Sequence, residues 1–282
     1  VEILKRLDTG SVLALVSIDK LVCHEGVKED YLAKLSEQIS NDGELYRPIL
    51  VTKNDLVVLD GHHRSLSCKN LGCKRITALV VDYFRPDIKV ESWSPVILEK
   101  EESDKVFSTL KEKGFSITEV ETEEKLHELV DSRQAAIGMI IHDTPLQFFV
   151  TDWSEDKTFS EAMESIISDL HSRQKLSALK YLDDTEKAKE MINNGKAYML
   201  INVPHISKEN VIKRSQMEEK YPPKTTRHLV PENVREYHVS LERLKQSNSE
   251  EDVEMSEEQR QKDEQHMSEH ASGEFVSAIE YR

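Results

Sequence analysis

Residues 56–83 read LVVLDGHHRSLSCKNLGCKRITALVVDY, and the parsing of this stretch decides the rest of the chain. Leu56 to Asp60 is an apolar run closed by an acid, the pattern of a buried strand. Gly61 then permits a sharp corner. Residues from Gly61 to Leu71 carry a helix that Gly72 stops, and RITALVVDYF (75–84) returns to strand. The start of that helix is unusual. Its free N–H groups are partly positive and ordinarily meet a capping oxygen or an acidic side chain. His62, His63 and Arg64 add further positive character instead, which makes sense if an anion from outside completes the cap.

Outward from this corner, SVLALVSIDKLV (11–22) reads as a strand, and KEDYLAKLSEQISNDG (28–43) as a helix with Leu32, Leu35 and Ile39 on one face. RPILVTKNDLVVLD (47–60) reads as two strands around a Lys-Asn-Asp turn. Residues 1–95 are therefore expected to form one α/β unit. A second, 96–243, alternates charged amphipathic helices with apolar strands. AAIGMIIHDTPLQFFVTDW (135–153) is a hairpin around Asp143 to Pro145, and YPPKTTRHLVP (221–231) is a loop too polar and proline-rich for a core. Residues 244–282 form an acidic tail without apolar periodicity, expected to be disordered.

Composition narrows the function classes. The net charge is −15, which argues against a general nucleic-acid or membrane-surface binder. From residue 250 onward, eleven acidic residues face three basic ones, so much of that charge lies in the tail. Cys23, Cys68 and Cys73 show no metal or disulfide spacing, which suggests a reducing, cytoplasmic setting. VEILKRLDTG at the start has no signal-peptide core, and no apolar run approaches membrane-span length. Walker-type and dinucleotide glycine loops are both absent.

Several residues could carry chemistry. Asp60 ends its strand beside the anion site and could serve Mg²⁺ directly or through water. Gly61, His62, His63 and Arg64 could grip phosphate oxygens; a solvated corner is the plainer alternative. Glu25, in VCHEG, follows a strand of the same unit and could take a proton from an attacking hydroxyl, or be an ordinary turn glutamate. His24 reads as structural. Lys224, Thr226, Arg227 and His228 suit a second anionic group or a solvated basic loop, and Trp93 is either a plug or a pocket wall.

Taken with HE (24–25), RPILV (47–51), VESW (90–93) and PPKTTRH (222–228), the DGHHR corner resembles the free L-serine kinase family. The resemblance implies a ParB/sulfiredoxin-like N-terminal domain, a second α/β domain, and an active site between them. It implies phosphoryl transfer from ADP or ATP, with Mg²⁺, to free L-serine, giving O-phospho-L-serine. Glu25 would then be the general base, and Asp60 would serve the metal and phosphates. Gly61 to Arg64 would hold the nucleotide, and Ser40, Trp93, Lys224, Thr226, Arg227 and His228 the serine or phosphoserine. The rivals are a ParB-like nucleotide-binding regulator, a sulfiredoxin-like enzyme lacking its helix-start cysteine, and a metabolite sensor without activity.

Overall fold

The computed structural model describes residues 1–143, 145–154, 157–232, 234 and 236–246. In chain order the first elements are β1 (Glu2–Arg6), β2 (Val12–Ser17), β3 (Val22–Cys23), α1 (Glu29–Asp42), β4 (Glu44–Leu45), β5 (Ile49–Thr52), β6 (Val57–Asp60), α2 (His62–Asn70) and β7 (Arg75–Val81). Then come β8 (Lys89–Ser92), β9 (Ser94–Ile97), α3 (Lys100–Glu112), β10 (Ile117–Val120), α4 (Glu123–Asp131), β11 (Ala135–Ile141), β12 (Gln147–Asp152) and α5 (Phe159–Ser172). The last are β13 (Leu179–Leu182), α6 (Thr185–Asn193), β14 (Met199–Asn202), α7 (Lys208–Ser215), β15 (Thr226–Leu229), β16 (Val239–Ser240) and α8 (Leu241–Lys245).

Two α/β units result. The first is a mixed sheet in the order β1-β2-β7-β5-β6-β3. β7 lies inside the sheet, and all seven of its residues are buried, Arg75 and Thr77 among five apolar ones. β5 lies parallel to β7 and β3 parallel to β6, while β5 and β6 are antiparallel, so β3 and β6 end at the edge opposite to the ends of β5 and β7. α1 lays Leu35 and Ile39 onto this core and stops at Gly43, whose N–H donates to the Ile39 carbonyl. The second unit is an antiparallel sheet in the order β10-β12-β11-β14-β9-β13, and β11 and β12 form the expected hairpin.

The division of the chain corrects the split expected at residues 95 and 243. Among the described residues, the first unit takes Val1–Lys89, Lys208–Pro223 and those from His228 to Gln246; the second takes Val90–Ser207 and Lys224–Arg227. The cause is burial. Tyr237, Val239, Leu241 and Leu244 join the core of the first unit, and β16 pairs with β4 through Val239 and Leu45. Nothing in the local sequence marks this return, because the partner strand lies far back in the chain. The loop expected over 221–231 is also corrected: it contains β15, and Tyr221, Pro222, Thr225 and Thr226 are buried. β1 was not foreseen either; it is an edge strand antiparallel to β2. The acidic tail expected over 244–282 lies outside the described residues from 247 onward. Among the described residues, no helix is long and apolar enough to cross a membrane.

Candidate active site

The corner forms as the sequence suggests. Gly61 adopts φ +96° and hands the chain from β6 to α2, whose first internal hydrogen bond runs from Ser65 N–H to the Gly61 carbonyl. The N–H groups of His62, His63 and Arg64 thus lie in the first turn, where no helical carbonyl precedes them. Arg64 folds back and donates to Asp60 Oδ2 at 2.7 Å, while Asp60 keeps 67% of its side chain exposed. Surrounding protein desolvates Asp60, but the Arg64 charge and hydrogen bond outweigh that and hold its carboxyl below the ordinary value. It is therefore an anion at neutral pH.

Glu25 reaches the same edge of the sheet through strand register. β3 runs parallel to β6 with Cys23 opposite Val58, so both strands end at one edge of the sheet, β6 at Asp60 and β3 two residues before Glu25. Residues 24–26 stay extended because Tyr221 N–H donates to the His24 carbonyl at 2.9 Å and Gly26 N–H to the Tyr221 carbonyl at 2.8 Å. Glu25 is buried, and its Oε1 lies 3.7 Å from His24 Nε2.

Beneath these acids lies a stack of imidazoles. His24 meets His62 edge-on at 4.8 Å and His228 at 5.7 Å between ring centroids. Tyr83 OH is 2.8 Å from His228 Nε2, and burial pushes the Tyr83 pKa up, which keeps it a donor. Desolvation is the main reason all three rings stay neutral. It takes His62 down to about 3 and His228 to about 4, and mutual repulsion adds to it at His24, which falls well below 6.5. His63 turns elsewhere: its Nε2 accepts from Lys28 N–H at 2.9 Å and its ring packs edge-on against Tyr31, tying α2 to the start of α1.

Neutral buried histidines set a pH dependence. An unfolded histidine protonates below about 6.5, whereas His24 and His62 resist until far lower pH. Their contribution to stability is complete above the unfolded value and is lost as pH falls toward the folded ones. Going from pH 7 to 5 will cost about 2 kcal/mol for His62, and His24 adds a loss of the same sign. Urea denaturation at both pH values checks this, and His62→Gln will flatten the difference.

In the second unit, Trp93 Nε1 donates to the Thr226 carbonyl at 3.1 Å. Lys224, in a left-handed conformation at φ 63°, holds its ammonium 4.9 Å from the Trp93 ring centre and 5.6 Å from that of Tyr181. Such contacts contribute about 0.5–1 kcal/mol each when exposed. Arg227 is engaged by acids: Glu91 at 2.8 Å, the Asp183 carbonyl at 3.1 Å and its carboxylate at 3.6 Å. Much of its charge is spent on holding this segment.

The sequence-predicted residues therefore divide. Glu25, Asp60, Gly61, His62, His63, Arg64 and His228 belong to the first unit, and Trp93, Lys224, Thr226 and Arg227 to the second. Ser40 is exposed in the last turn of α1, and none of the contacts described joins it to either group. Sequence reasoning missed Tyr83, and it took His24 as structural. Tyr83 lies two residues after β7, and no local pattern in the sequence singles it out.

Among the described residues, no three His, Cys, Asp or Glu side chains converge to hold a metal on their own. That donor set fits Mg²⁺, which is usually held by one or two carboxylates together with substrate phosphates and water. Asp60, ionised and exposed, is the carboxylate suited to this.

No protein-family model matches the chain. An ATP-dependent L-serine kinase of Staphylothermus marinus is 27% identical over 235 residues, 82% of this chain and 90% of that protein. An ADP-dependent L-serine kinase of Thermococcus kodakarensis is 27% identical over 233 residues, 81% of this chain and 91% of that protein. A free serine kinase solved with AMP and, as a variant, with ADP superposes with a TM-score of 0.71 at 25% identity, covering 85% of this chain and 95% of the other. In sequence and in fold alike, over more than four-fifths of its length, this chain is similar to free L-serine kinases.

Proposed function

We propose that this protein is a free L-serine kinase that moves the terminal phosphoryl group of a nucleotide onto the serine hydroxyl, giving O-phospho-L-serine. The observation that supports the reading is the parallel pairing of β3 with β6, which ends both strands at the edge where α2 begins, with Asp60 closing β6 and Glu25 following β3. Phosphoryl transfer asks mainly for positioning and for neutralisation of charge on the transferring group. First-turn N–H groups of α2, with His62 and Arg64, would receive the phosphates, and His63 would contribute its backbone N–H. Glu25 would accept the serine hydroxyl proton. Asp60 would hold Mg²⁺, which supplies electrophilic assistance to the phosphates when bound. Trp93, Lys224, Thr226 and Arg227 would hold serine or phosphoserine, with His228 and Ser40 as further contacts. A ParB-like regulator is the weaker reading, because the relatives that span most of the chain are kinases.

We take ADP as the favoured donor, with ATP as the alternative. Incubating purified chain with L-serine, Mg²⁺ and each nucleotide in turn will yield O-phosphoserine with one of them, detected by phosphorus NMR. A folded protein that makes no phosphoserine with either nucleotide overturns the reading.

A further inference from the structure

His24 precedes Glu25 and has the geometry of more than a core residue. Its Nδ1 lies 2.8 Å from the Val58 carbonyl. A carbonyl can only accept, so Nδ1 carries the ring proton. His62 Nε2, 3.3 Å from the same Nδ1, is then an acceptor, and His62 carries its own proton on the other nitrogen. Because burial keeps His24 neutral, its Nε2 is the basic nitrogen of the ring, and it is this atom that lies 3.7 Å from Glu25 Oε1. The distance is too long for a hydrogen bond to a carboxylate, which has no proton to give. It is suited to a carboxylic acid after a small side-chain adjustment, and catalytic contacts commonly tighten in this way once substrate is bound.

We propose that His24 is a positioning residue for Glu25: its Nε2 accepts a hydrogen bond from Glu25 once that carboxylate has taken the proton of the serine hydroxyl. The inference rests on Glu25 being the base in the proposed reaction. In that step the serine O–H bond breaks and its oxygen bonds to the terminal phosphorus. The bond from that phosphorus to the bridging oxygen breaks, and the electron pair leaves with AMP, or with ADP when ATP is the donor. The proton stays on Glu25, shared with His24. Accepting from the protonated form favours that form and makes Glu25 a better base. The charged and titratable groups acting on His24 include His62, His228 and Lys220, with Asp60 and Arg64 acting on His62, and Glu25 in turn acts on the Cys23 thiol.

Two amide replacements separate this role from packing. The amide of Asn reaches only the Nδ1 position and can keep the bond to Val58, whereas that of Gln reaches the Nε2 position and can accept from Glu25. His24→Asn will lower kcat at least about 10-fold with the KM for nucleotide unchanged, and His24→Gln will stay within about 3-fold of wild type. A purely structural His24 gives the reverse order, and that result overturns the proposal. Histidine nitrogen NMR on the unmodified chain tests the premise independently of how the variants fold: a proton found on His24 Nε2 also overturns it. Glu25→Gln separates the two readings. If that variant is inactive while His24→Asn is fully active, the base assignment stands and only the role of His24 falls; if Glu25→Gln is fully active, the base assignment falls as well.

Discussion

Glu25→Gln will make O-phosphoserine about 100- to 10,000-fold more slowly than the wild-type chain, the range expected when a general base is removed. Gln has the same shape and fills the same buried place between His24 and Tyr221, so the fold keeps its hydrogen bonds along residues 24–26. What is lost is the lone pair that receives the hydroxyl proton. In the proposed reaction the α2 corner, not Glu25, receives the nucleotide, so calorimetry with ADP will give an affinity within about 3-fold of wild type. Initial rates within 10-fold of wild type would show that Glu25 is not the base.

The second large effect concerns stability. Gly61→Ala will destabilise the protein by about 3 kcal/mol, through a left-handed backbone that L-residues resist and a collision in the core. An alanine Cβ at this position would come within 2.5 Å of Ile49 Cγ2 and 2.9 Å of an Arg64 guanidinium nitrogen. Ile49 is fully buried in the central sheet and has no room to retreat. The melting temperature will fall by roughly 6–12 °C for a chain of this size. Gly72→Ala is the control: Gly72 also has a positive φ, 79°, but nothing lies within 4 Å of its added Cβ. That variant will lose only the conformational part, about 1 kcal/mol. Equal losses in the two variants would show that the Gly61 contact is not tight.

The corner was legible in the sequence because local rules agree there: two apolar runs flank a glycine, and polar residues open the helix. The place of Glu25, just past β3 at the edge where β6 ends, was legible only in part, since it depends on the pairing of a two-residue strand with β6. The imidazole stack was not legible. His24, His62 and His228 come from distant parts of the chain, and no periodicity links them. Reading His228 with Thr226 and Arg227, its sequence neighbours, did not foresee where its ring packs. The chain passes between units just before His228, and its ring packs in the first unit with Tyr83 and His24. Arg227 carries the complementary lesson: a cation in a basic-looking loop turned out to be held by Glu91 and Asp183, acids from elsewhere in the chain.

The pairing of β16 with β4 has a consequence for biosynthesis. Leu45 leaves the ribosome early, but its strand partner Val239 emerges about 200 residues later, roughly 10–40 s at ordinary elongation rates. During that interval the nascent first sheet lacks the four side chains, Tyr237, Val239, Leu241 and Leu244, that complete its interior. A ribosome stalled within the second unit would therefore display an unfinished, sticky half-protein, and trigger-type chaperones would engage it until translation resumes.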